Sequence, residues 1–178
     1  MKLQQQLAAD FPDVSEHRRD VAASYHNLGL LLAAAGRAKD AEDACHDALR
    51  AYEQLAAEPS ARPKYRRELA GCYHTLADLL GETGRAAAAE RAYRDVLNVY
   101  QQLVKEFPAV PEYRQDEASG HNDLGILLRD TDRRDDAESA HRSALKLQKQ
   151  LAWIPTAPYE LTLNSLAAVL QLEFTCIS

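Results

Sequence analysis

Residues able to do chemistry are few in this chain, and their spacing works against it. Six histidines and three cysteines are present. Cys72 and His74 suggest a metal pair. Two residues along a helix, however, project about 200° apart, and a zinc site needs three or four converging ligands. His26 and His74 lie 48 residues apart and are expected to stack on adjacent helices, which still leaves fewer converging ligands than zinc requires. The neighbouring carboxylates Asp135 and Asp136 open a helix, where they complement its dipole better than they could share a proton. No Gly-x-Gly-x-x-Gly, phosphate loop or Gly-x-Ser-x-Gly elbow occurs. The expectation is a chain that is not an enzyme, with no cofactor and no metal.

The elements that carry these residues repeat. Leu7, Leu55, Leu103 and Leu151 are spaced 48 apart and open similar stretches, as in Leu7-Ala8-Ala9-Asp10-Phe11-Pro12 and Leu103-Val104-Lys105-Glu106-Phe107-Pro108. Self-similarity at this period marks stacked supersecondary units, each hiding its apolar face against a neighbour. Within a unit, Val21, Ala22, Tyr25, Leu28, Leu32 and Ala35 recur at helical steps. Gly36 can close that helix in the left-handed conformation. A second stripe follows through Ala41, Ala44, Cys45, Ala48, Leu49, Tyr52 and Leu55. Pro12, Pro59 and Pro108 stop the second helix, and Pro63 and Pro111 suit a first turn. Helices A are predicted over 15–35, 63–83 and 111–131, and helices B over 38–58, 86–106 and 134–153. Each is about 30 Å long.

Composition agrees. Apolar residues make up 46% of the chain, enough for a fold, and the abundant alanine favours helix. The formal charge of −6, with cations and acids interleaved, argues against a nucleic-acid binder, which would show a basic stripe. No apolar run reaches the roughly 20 residues of a membrane helix. Cys45, Cys72 and Cys176 form no disulfide framework and the N-terminus reads as no signal segment. The expected setting is the cytoplasm.

The spacing inside each unit resembles the tetratricopeptide repeat. Unit one carries Tyr25, Leu28, Gly29, Leu32, Gly36, Ala41, Cys45 and Ala48. Unit two has Tyr73, Leu76, Ala77, Leu80, Gly84, Ala89, Tyr93 and Val96. Unit three has His121, Leu124, Gly125, Leu128, Asp132, Ala137, His141 and Ala144. The family unit is roughly 34 residues, so this is a long-unit variant, similar to kinesin light chain repeats. The resemblance implies an all-α, right-handed α-solenoid of stacked antiparallel helix pairs. The expected division is 1–12 (partial helix B of an upstream repeat), 13–60, 61–108 and 109–154 (three full repeats) and 155–178 (a degenerate or truncated fourth). Unit three departs most from the pattern: Glu117 replaces an apolar residue, Gly120 sits inside helix A and Asp132 replaces the turn glycine. Its helix A is expected to be the loosest central element. His121 and His141, at aromatic positions, are expected to be packed core residues.

The resemblance further implies a protein-interaction scaffold whose concave face, lined by helices A, takes a peptide or partner protein. Its groove positions here are His26, Asn27, Leu30, His74, Thr75, Asp78, Asn122, Asp123 and Ile126, with Arg129 as the nearest cation. None of the nine is a lysine, unlike the pattern that clamps a terminal carboxylate. Apolar Leu170, Leu172, Phe174 and Ile177 suggest self-association through a C-terminal helix. The rival expectations are an accessory segment of a larger signalling enzyme such as a bacterial-type protein kinase, serving substrate positioning or dimerisation, and a spacer without a ligand.

Overall fold

The computed structural model describes residues 14–58 and 63–152, together with Gln6 and Asp10. Apart from Gln6 and Asp10, the expected half-repeat at 1–12 lies outside the described residues, as does the degenerate or truncated fourth repeat at 155–178 with its self-association. Among the described residues six α-helices follow in order: α1 (Ser15–Ala34), α2 (Ala38–Ala57), α3 (Pro63–Glu82), α4 (Ala86–Glu106), α5 (Pro111–Asp130) and α6 (Arg134–Ala152). Each ends within one residue of the span drawn from the apolar period. Among the described residues there is no strand.

The turn inside each pair is built identically. Arg37, Arg85 and Arg133 each donate a backbone N–H to a carbonyl five residues back, on Leu32, Leu80 and Leu128, at 2.8–2.9 Å. This closure requires a left-handed residue just before the arginine. Gly36 and Gly84 supply it at φ 72° and 75°; in the third turn Asp132 adopts φ 60°. A Cβ makes that conformation costly, although aspartate tolerates it better than most residues.

Pairing follows sequence. The helices of each hairpin pack most extensively, α2 then packs on α3 and α4 on α5, and α1 also meets α3. The chain is therefore an all-α solenoid of stacked antiparallel pairs. One apolar cluster runs through it, from Ala22, Tyr52 and Leu55 through Leu76 and Leu97 to Leu128 and Ala140. Small residues allow close approach both within and between pairs. A Cβ on Gly29 would lie 2.8 Å from Cys45 Sγ inside the first hairpin, and one on Gly120 would lie 3.1 Å from Leu97 Cδ2 across the joint between the second and third. Gly120, which the sequence marks as a weak point of α5, thus sits at a tight contact with α4.

Equivalent ion pairs tie successive hairpins together. Arg85 reaches back to Glu42 with two bonds of 2.8–2.9 Å, and Arg133 repeats the contact to Glu90 at 2.7 Å. On the A helices Arg67 reaches forward to Asp116 at 2.8 Å.

Candidate functional site

The polar positions expected to line a groove lie on α1, α3 and α5, and most of them bond to one another. Residue n of one A helix meets residue n+49 of the next, one period plus one. His26 Nε2 lies 2.9 Å from Thr75 Oγ1. The Thr75 hydroxyl already donates to the Gly71 carbonyl at 3.1 Å. It has a single proton to give, so it accepts from His26, which is the Nε2–H tautomer. Burial holds the His26 imidazole below its ordinary pKa.

The equivalent joint between α3 and α5 is ionic. His74 places Nε2 at 2.8 Å from Asp123 and Nδ1 at 3.2 Å from Asp78. Both ring nitrogens face carboxylates, so both carry protons. Hydrogen bonds to Asp123 and Asp78 raise the imidazole pKa to about 10, against the opposing effect of burial. The Tyr93 hydroxyl donates to the other oxygen of Asp78, and its ring stands edge-on to His74 at 5.7 Å. Burial and the Asp78 carboxylate push the Tyr93 pKa up. A single row of the repeat thus makes a neutral joint at one interface and a charged one at the next.

The remaining positions differ in what they offer. Asn27 is exposed, and Leu30 and Ile126 are 46% and 43% exposed despite being apolar. Asn122 accepts from His141 Nδ1 at 3.3 Å. Arg129 lies against Asp130, with two contacts of 2.8–2.9 Å. His121 is half-buried, whereas His141 is exposed. The His141 ring lies over Gly125, where a Cβ would come within 2.7 Å, so it packs by one face only. Cys45 and Cys72 are buried free thiols. Burial raises Cys45 to about 11 and drives Cys72 up as well. Among the described residues no three histidine, cysteine or acidic side chains converge as a metal site, and no helix is long and apolar enough to cross a membrane.

Of the expected groove side chains, His26, Thr75, His74, Asp78 and Asp123 take part in the bonds that join successive A helices. The structure also adds Glu82, Leu127 and Asp130 to the same face, around a cavity of about 420 Å³ between α3 and α5. The n+49 relation could have been read from the repeat, because His26, Thr75, His74 and Asp123 all fall on it.

A family model described as Tetratricopeptide repeat matches residues 21–58, 69–109 and 122–152. No curated protein matches the chain. Among solved structures, BtubC (BKLC) from P. vanneervenii overlays with a TM-score of 0.61 at 20% identity, over 85% of this chain and 54% of that one. At that identity the likeness speaks for the right-handed solenoid fold alone, and this chain spans about half the length of BtubC. MamA overlays at a TM-score of 0.34 with 16% identity, over 84% of this chain and 86% of that one, too low to carry an argument.

Proposed function

The chain belongs to the tetratricopeptide-repeat family, and from that premise we propose that it is a scaffold receiving an extended peptide or partner segment along the face made by α1, α3 and α5. The observation that carries this reading is the exposure of Leu30 and Ile126 on a face where His26, Thr75, His74, Asp78 and Asp123 are already bonded to one another. Side chains fixed by inter-repeat bonds form a preorganised floor, so a ligand ordering against them loses little freedom on the protein side. Exposed apolar groups beside such a floor gain by being covered. Asn27 supplies an amide able to bond a peptide backbone.

The test is a peptide-display selection against the full chain. Selected peptides are expected to lose binding to Leu30→Asp and Ile126→Asp variants and to keep it with Asp43→Arg, a change at an exposed position of α2. Peptides indifferent to both inner-face changes would overturn the reading.

A further inference from the structure

The inner face is not uniform along its length. Around α1 it is apolar: Leu30 is 46% exposed and Ala34 is exposed beside it. Between α3 and α5 it becomes a groove of about 420 Å³, floored by Ile126 and Leu127 and edged by Asp78, Glu82, Asp123 and Asp130. Two cations face these four carboxylates. His74 is held between Asp78 and Asp123, and Arg129 lies against Asp130. Two negative charges are left over beside exposed apolar surface. An anionic segment would meet like charge across the groove, whereas a cationic one would be complementary.

We propose that the segment received by this face is cationic, with an apolar side chain seated at Leu30 and lysines or arginines set over the α3–α5 groove. This rests on the inner-face reading and adds the chemistry of its occupant. Two inter-helix steps separate Leu30 from Ile126, roughly 20 Å at typical packing distances. That is the reach of about six extended residues, which fixes the spacing between apolar anchor and basic group. The aliphatic stems of lysine or arginine can cover Ile126 while their heads meet Glu82 and Asp130.

The experiment uses the full chain and two fluorescein-labelled peptides. Each carries one leucine and, about six residues on, either two lysines or two glutamates; binding is read by anisotropy at low and high salt. The lysine probe is expected to bind about tenfold more tightly or better, with an advantage that shrinks in salt. The paired change Glu82→Lys/Asp130→Lys, at exposed positions, is expected to remove that advantage, while Asp43→Lys leaves it intact. Circular dichroism checks that each variant remains helical. Equal binding of both probes, lost in Leu30→Asp, would overturn the charge preference and leave the inner-face reading standing. Lysine-probe binding indifferent to Glu82→Lys/Asp130→Lys, or no binding of either probe, would overturn the inference. Binding of both probes indifferent to Leu30→Asp would remove the inner-face reading with it.

Discussion

Replacing Gly29 with alanine is expected to destabilise the chain, whereas the same change at the equivalent Gly125 is expected to leave it unharmed. A Cβ on Gly29 would sit 2.8 Å from Cys45 Sγ, with the Ala41 carbonyl at 3.4 Å and the Cys45 amide nitrogen at 3.6 Å behind it. Normal contact is about 3.5–4.0 Å, so the overlap with sulfur approaches 1 Å. Cys45 is 0% exposed, which leaves its sulfur no open direction to retreat; α1 and α2 must separate. Overpacking of this kind costs about 1–3 kcal/mol. Alanine returns about 1 kcal/mol of helix propensity over glycine. The net loss is about 1–2 kcal/mol at the upper part of that range. At Gly125 the clash is nominally closer, 2.7 Å, but it is with the His141 ring, which is exposed and can swing into solvent. Only the 3.3 Å bond to Asn122 is given up, so the propensity gain offsets the loss. Urea unfolding followed by helical circular dichroism measures the difference. With a slope of about 2 kcal/mol/M, Gly29→Ala should lower the midpoint by roughly 0.5–1 M. Repeat arrays can unfold in more than one step, so midpoints are compared rather than extrapolated energies. A Gly29→Ala midpoint at or above that of the unmodified chain, or a larger loss at Gly125 than at Gly29, would refute the packing argument.

Three further outcomes follow from the same structure. Asp132→Gly should stabilise the chain by about 0.5–1 kcal/mol, because a φ of 60° costs a residue with a Cβ and costs glycine little; thermal melts measure it. His74 should remain protonated at pH 8 by NMR while His26 is neutral. Because the folded pKa of His74 lies above its unfolded value, its stabilising contribution is complete below about pH 6.5 and fades as pH rises toward about 10. The stability advantage of the unmodified chain over His74→Gln should therefore shrink across that window, and a constant difference would contradict the charged joint. Cys45 and Cys72, buried and with raised pKa values, should resist thiol reagents until the chain is unfolded, as mass-shift labelling with and without urea can determine.

The helical spans and the hairpin order were legible in the sequence. They depend on local terms: apolar residues at steps of three and four, glycine at the turns, and proline at the helix starts Pro63 and Pro111. The 48-residue period made each unit a check on the others. Tertiary structure decided which polar side chains remain available. His26 and Asn27 look alike in sequence, yet stacking α3 beside α1 brings Thr75 to His26 and leaves Asn27 exposed. A one-residue offset between neighbouring helices couples His74 to Asp123. His74 and its counterpart His26 therefore differ in charge, because the residue one period plus one further on is aspartate in one case and threonine in the other. Glu82 and Asp130 gain their place beside Ile126 only when α3 and α5 are laid side by side. Helix periodicity sets where a side chain points along its own axis; the distance to its neighbour on the next helix is set by how the hairpins stack.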